Sequence, residues 1–182
     1  MERSLVVRAQ SGDREAFTAL ALQVSDSLFA VAQRILRDFD GAADALQVTL
    51  VRLWRDLPSL EDPARFEAWA YRVLVRACHD SLRARRRQVP QLRLHSSDGA
   101  VVSDPATAVS NREELERAFR TLTVEQRTVL VLQYYRDLPL AEIADLLHVP
   151  IGTVRSRLHY AKQALRSALD AETRPVPVEN VR

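Results

Sequence analysis

A single cysteine, Cys78, excludes an internal disulfide and any zinc site built from cysteines. It falls near the edge of an apolar helical face, where a thiol packs rather than reacts. Glycine is scarce at 4 residues and aromatics make up only 6%. Leu, Ala and Arg dominate what remains, a composition that favours helices. Met1-Glu2-Arg3-Ser4 has no signal-peptide pattern, and no apolar run reads as long enough to cross a bilayer. A cytoplasmic protein without membrane insertion is therefore expected. His79, His95, His148 and His159 are scattered, and no glycine-rich phosphate loop is present. No catalytic constellation emerges, so the expectation is a non-enzyme with no metal or other cofactor. An excess of one charge is missing too. The 26 basic and 24 acidic residues leave a net charge of +2, so any nucleic-acid surface must be local.

What is present is helical patterning along 182 residues, 47% of them apolar. Asp13 is placed to cap a helix running to about Arg37, with Phe17, Leu20, Val24, Leu28, Val31 and Ile35 on one face. A second helix is expected over Gly41 to Leu57, with Leu46, Leu50, Leu53 and Leu57 inward. Pro58 and Pro63 bracket a loop, and a third helix follows from about Ala64 to Arg87. Periodicity is then lost among Pro90, Ser96, Ser97, Gly99, Ser103 and Pro105, which reads as a linker. Thr123-Val124-Glu125-Gln126 has the form of a capping box opening a further helix with Val129, Leu130 and Leu132. The fold class expected is all-α: two small helical domains, 1–88 and 111–170, joined by a flexible linker at 89–110. Residues 171–182 read as a loose tail.

Leu138 to Leu169 is the most informative stretch. A short amphipathic helix, a break at His148 to Thr153, and a second amphipathic helix follow one another. Val154, Leu158, Ala161 and Leu165 recur at helical spacing and define a buried face. Thr153 stands at the helix start, and Arg155, Ser156, His159, Tyr160 and Lys162 project elsewhere. A short helix bracing a longer one with a cationic, hydrogen-bonding outer face is the form of a helix-turn-helix that reads the major groove. Pro150 and Gly152 are expected to make the break. An ordinary helical hairpin with a solvated basic face is the alternative.

Two further surfaces stand out. With Phe66, Ala70, Val73 and Ala77 inward, helical spacing puts Arg65, Trp69, Arg72, Arg76, His79 and Arg83 on one stripe, continued by Arg85, Arg86 and Arg87. Guanidinium groups interleaved with an aromatic suit phosphates and unstacked bases; a solvated charged face, with Trp69 in the core, is the competing explanation. Opposite the leucine stripe of the second helix lie Asp44, Gln47, Val48, Val51 and Arg55, a small candidate docking surface.

These residues resemble the sigma-70 family of bacterial RNA polymerase initiation factors, in particular the extracytoplasmic-function group. Glu142-Ile143-Ala144 and Pro150-Ile151-Gly152-Thr153-Val154-Arg155-Ser156-Arg157-Leu158 are similar to region 4. Asp44 to Leu50 with Trp54 resembles region 2.2. Phe66 to Arg72 and the run Arg83 to Arg87 resemble regions 2.3 and 2.4. The resemblance implies that Asp44, Gln47, Val48 and Val51 dock on core RNA polymerase. It implies that the stripe from Arg65 to Arg83 captures the melted minus-ten element, and that Thr153, Arg155, Ser156, His159, Tyr160 and Lys162 contact the minus-thirty-five duplex. Promoter DNA, core polymerase and an anti-sigma factor are the implied partners. The chain departs from the family pattern at Ala43 and Val48, where acidic residues are usual, at Arg76 in place of Asn, at Thr123 in place of Pro, and at Pro139 in place of Ser. A stand-alone helix-turn-helix regulator is the alternative function. It would leave the arginine–aromatic helix and the Asp44–Gln47 face without a purpose.

Overall fold

The computed structural model describes residues 3–88 and 115–172, and the regular elements within them are all helices. Helices α1 (Arg3–Gln10), α2 (Arg14–Leu36), α3 (Phe39–Asp56) and α4 (Phe66–Gln88) form the N-terminal half. Helices α5 (115–120), α6 (Val124–Leu130), α7 (Leu140–Leu147) and α8 (Ile151–Glu172) form the C-terminal half. The expected linker at 89–110 lies outside the described residues, as does the tail beyond 172. Ala171 and Glu172, expected in the tail, belong to α8 instead.

Helix α1 was not anticipated. It buries only Val6 and Ala9, too few positions in eight residues to establish a period. Gly12, at φ +91, turns the chain into α2. Asp13 caps α2 as expected, accepting the Ala16 N–H at 3.0 Å and pairing with Arg8 at 2.7 Å. The Ala16 N–H, and after it Arg8, hold the Asp13 carboxyl below its usual range. With 23 residues, α2 is long and apolar enough to span a bilayer, contrary to expectation. Its apolar stripe Leu20, Val24, Leu28, Val31 and Ile35 is instead buried against α1, α3 and α4.

Helix α3 is turned from the expected register. Ala42, Ala45, Thr49 and Leu53 are buried, while Leu46 and Leu50 sit half-buried at the rim. Small side chains let the backbone approach its neighbours closely, and the buried Thr49 hydroxyl is satisfied by donating to the Ala45 carbonyl at 2.6 Å. Helix α4 buries Phe66, Ala70 and Ala77 as expected, but Val73 only half-way. Leu74, Tyr71, Val75 and Cys78 are buried as well. The reason is that α4 has cover on two sides: α2 and α3 on one, and α7 of the C-terminal half on another.

In the C-terminal half the Thr123–Gln126 capping box forms in full. Helix α6 passes into a π-helical turn, Val131–Tyr135, and then into the α7–α8 pair. The break between those two helices is made by His148 rather than by Gly152. His148 adopts the left-handed conformation at φ 53, its N–H capping the Ala144 and Asp145 carbonyls. Gly152 lies within the first turn of α8 with no positive φ. The buried residues of the two halves form one continuous hydrophobic cluster.

Candidate nucleic-acid interface

The outer face of α8 is set by its inner one. Val154, Leu158 and Ala161 are buried against α6 and α7, and Leu165 is half-buried. This turns Arg155, Ser156, His159, Tyr160 and Lys162 to the exposed side, with Thr153 half-buried at the start. Arg155 has no hydrogen-bond or ion-pair partner among the described residues, which leaves its fork of donors available to a base edge. Ser156 donates its hydroxyl to the Thr153 carbonyl at 3.0 Å, so toward a ligand it acts as an acceptor. Tyr160 is 57% exposed and meets His159 edge-on, ring centroids 5.5 Å apart. The Lys162 ammonium lies 5.3 Å from the ring centroid of Tyr134, a residue the sequence reading missed. Only the π-helical turn, which periodicity does not signal, brings Tyr134 there.

The stripe on α4 is less uniform than its spacing suggests. Arg65, Arg76 and Arg83 are exposed, and Arg65 pairs loosely with Asp62 at 3.7 Å. Trp69 is half-buried against Phe66. Arg72 and His79 are half-buried because the C-terminal half covers them. Arg72 donates to the Asp145 carbonyl of α7 at 3.4 Å, and His79 Nε2 lies 3.2 Å from the Thr128 hydroxyl of α6. Thr128 spends its own proton on the Val124 carbonyl, so His79 is the donor in that pair. Burial pushes the His79 pKa down, which favours the neutral ring. Cys78, on the inner side, is fully buried, and desolvation pushes its pKa up to about 12. It is packed, as expected, and not poised for thiolate chemistry.

On α3, Asp44, Gln47, Val48, Val51 and Arg55 all face solvent, Val51 being 61% exposed. Trp54 extends this surface, and its ring rests edge-on against Phe17 of α2 at 4.9 Å. Two apolar side chains and an aromatic beside a carboxylate and an amide make a compact face able to bury area against another protein. Among the described residues no cluster of His, Cys, Asp and Glu is arranged to hold a metal.

Sequence reasoning also missed Arg127. It is buried on α6, yet its guanidinium meets carbonyl oxygens only: Ile35 at 2.8 Å and Leu122 at 3.1 Å. Burial, and then the charge of Arg37, draw its pKa down to about 10. Arg127 follows the capping box at a half-apolar position, and nothing in its spacing marks it as buried.

The order of these surfaces along the chain, an exposed acid–valine face, an arginine–aromatic helix and a helix-turn-helix, matches one known class. The Sigma-70 region 2 model matches residues 20–88, and the Sigma-70, region 4 model matches residues 112–165. The chain belongs to the sigma-70 family, in its extracytoplasmic-function group. It is 25% identical over 181 residues to the ECF RNA polymerase sigma factor SigW of Bacillus subtilis, covering 93% of this chain and 97% of that protein. It is 28% identical over 181 residues to the RNA polymerase sigma-H factor of Pseudomonas aeruginosa, covering 92% and 93%. Among solved structures, the sigma factor RpoE in complex with the anti-sigma factor NepR, from Bartonella quintana, aligns with a TM-score of 0.70 at 23% identity. That alignment covers 86% of this chain and 98% of that one. CnrH, solved in complex with the cytosolic domain of CnrY, aligns with a TM-score of 0.66 at 24% identity, covering 94% and 98%.

Proposed function

We propose that this chain is a promoter-specificity subunit whose three outward faces act together. Asp44, Gln47, Val48 and Val51 on α3 dock on bacterial core RNA polymerase. Arg65, Trp69, Arg72, Arg76, His79 and Arg83 on α4 hold the melted minus-ten strand through charge and stacking. Thr153, Arg155, Ser156, His159, Tyr160 and Lys162 on α8 engage the minus-thirty-five duplex. Residues 1–88 and 111–170 then serve as the two working units, with 89–110 connecting them. The chain contributes recognition and strand capture, and the polymerase performs the chemistry. Both partners belong to the cytoplasm. An anti-sigma factor is the further partner, in keeping with the NepR complex of the Bartonella relative.

The observation that carries this reading is the separation of the faces. Each sits on a different helix beside that helix's own buried stripe, and their order is that of the family regions. The test combines the purified chain with bacterial core polymerase and measures run-off transcription from promoters selected from a random library. Stimulation of promoter-specific transcripts is expected. Asp44→Ala with Gln47→Ala should weaken polymerase binding several-fold while helical content is kept, and Val48→Glu should strengthen it. A chain that binds duplex DNA but neither binds nor redirects core polymerase would be a stand-alone regulator.

A further inference from the structure

The polar face of α8 does not end with the residues assigned above to the duplex. Gln163, Arg166 and Ser167 lie further along the helix, and all three are exposed. With His159 and Lys162 they line an open hollow of about 430 Å³ on the surface of α8. A guanidinium, an ammonium, an imidazole, an amide and a hydroxyl converge there, and no carboxylate is among the lining groups. This chemistry selects an oxyanion. The two cations supply charge-assisted hydrogen bonds, and the amide and the hydroxyl supply neutral donors. Lys162 is steadied at the site by Tyr134, its ammonium lying 5.3 Å from the ring centroid.

The hollow also continues a line of charge. Arg155, His159, Lys162 and Arg166 follow one another at steps of four, three and four residues, which puts them on a single stripe of the helix. At 1.5 Å per residue, the stripe runs about 16 Å from Arg155 to Arg166. The major groove of duplex DNA is only about 12 Å wide. A recognition helix enters it with the N-terminal residues toward the bases. With Arg155 at a base edge, Arg166 therefore lies past the groove, where the sugar–phosphate ridge is what it meets.

We propose that the hollow is a seat for one backbone phosphate of the minus-thirty-five duplex, with Arg166 and Lys162 supplying the charge and Gln163 and Ser167 the neutral donors. The seat makes α8 a two-point clamp. Arg155 reads sequence at one end, and the seat at the other fixes the depth and register at which the helix enters the groove. Because one phosphate is like another, the seat adds affinity without adding preference.

This inference rests on the assignment of α8 to duplex DNA, and the test separates the two. The probe is a mixed-sequence DNA duplex three helical turns long, titrated with the full chain by fluorescence anisotropy over a range of salt. Arg166→Ala should weaken binding several-fold at low salt and lower the salt slope by about one, the loss of one phosphate contact. Arg166→Lys should keep the slope. Gln163→Ala with Ser167→Ala should weaken binding and leave the slope unchanged, since neither side chain is charged. Arg14→Ala removes the same charge from an exposed site on α2 and should leave both affinity and slope as in the wild type. An unchanged slope in Arg166→Ala overturns the seat. An equal fall in Arg166→Ala and Arg14→Ala also overturns it, because net charge alone would then account for the effect. On a panel of promoter variants Arg166→Ala should weaken every member alike, and a loss confined to particular base pairs would make Arg166 a base reader instead. A wild-type chain that does not bind the duplex removes the duplex role of α8 and the seat with it. Normal wild-type binding with an unchanged slope in Arg166→Ala removes the seat alone.

Discussion

Arg85 reaches back from α4 to Asp38 at the start of α3, and the pair closes over the bare Cα of Gly41. A Cβ at Gly41 would stand 2.6 Å from both Arg85 Nη2 and Asp38 Oδ2. Gly41→Ala should therefore break the pair by swinging both side chains aside. The loss of a part-exposed ion pair, about 0–1 kcal/mol, is offset by a gain in helix propensity of up to about 1 kcal/mol. The melting temperature should move by no more than about 4 °C. The freed Arg85 should add about one unit to the salt slope of nonspecific DNA binding. A large fall in melting temperature would mean the backbone itself is displaced.

The outer face of α8 divides into base-reading and anchoring groups. Arg155 is exposed and unpartnered among the described residues, whereas Lys162 is seated against Tyr134. Arg155→Ala should cost about 1–3 kcal/mol on the preferred promoter and flatten discrimination at one or two minus-thirty-five positions. Lys162→Ala should weaken all promoters alike and lower the salt slope by about one. Titrations of a promoter-variant panel at two salt concentrations separate these outcomes. Uniform weakening by Arg155→Ala would make it a backbone anchor.

His148 holds a left-handed conformation on the surface between α7 and α8. That conformation costs a non-glycine residue roughly 1–2 kcal/mol, which glycine largely avoids. His148→Gly should stabilise the chain by about 0.5–1 kcal/mol, with promoter preference unchanged. Denaturant titration checks the gain, and a loss would show that the imidazole makes a compensating contact.

Contact between the halves should weaken in acid through His79. Burial lowers its pKa from 6.5, and Arg83 and Arg157 press the same way, against Glu125 and Asp80. A depressed folded-state pKa contributes stability that is fully present above the unfolded value and is lost as pH falls through the folded one. Thermal stability should therefore decline as the pH falls below about 6.5, and His79→Gln should blunt that decline. An identical pH profile in the variant would remove His79 from the account.

Much of the site was legible because exposure follows directly from periodicity. Val154, Leu158 and Ala161 were identified as buried from spacing alone, and the outward direction of Arg155, His159 and Tyr160 follows from that. Spacing was a poorer guide on α3. Four leucines looked like the core stripe, yet close helix packing favoured Ala42, Ala45 and Thr49, and two leucines moved to the rim. Helix α1 was too short for a period to show, and the break at His148 used a conformation that residue type does not announce.

The sequence by itself determined the helical class, the capping of α2 by Asp13 and of α6 by Thr123, and the three outward faces. Each of these is local, set by neighbours three or four positions away along the chain. Only the tertiary structure decided which parts of those faces are free. Arg72 and His79 look like Arg76 and Arg83 in spacing, but the first two are covered by α7 and α6 and the others are not. Arg127 is likewise a surface residue by composition and a buried one by contact with Ile35, 92 positions away. Burial of this kind depends on residues distant along the chain, and one-dimensional periodicity holds no information about which distant helix comes to rest on a given face.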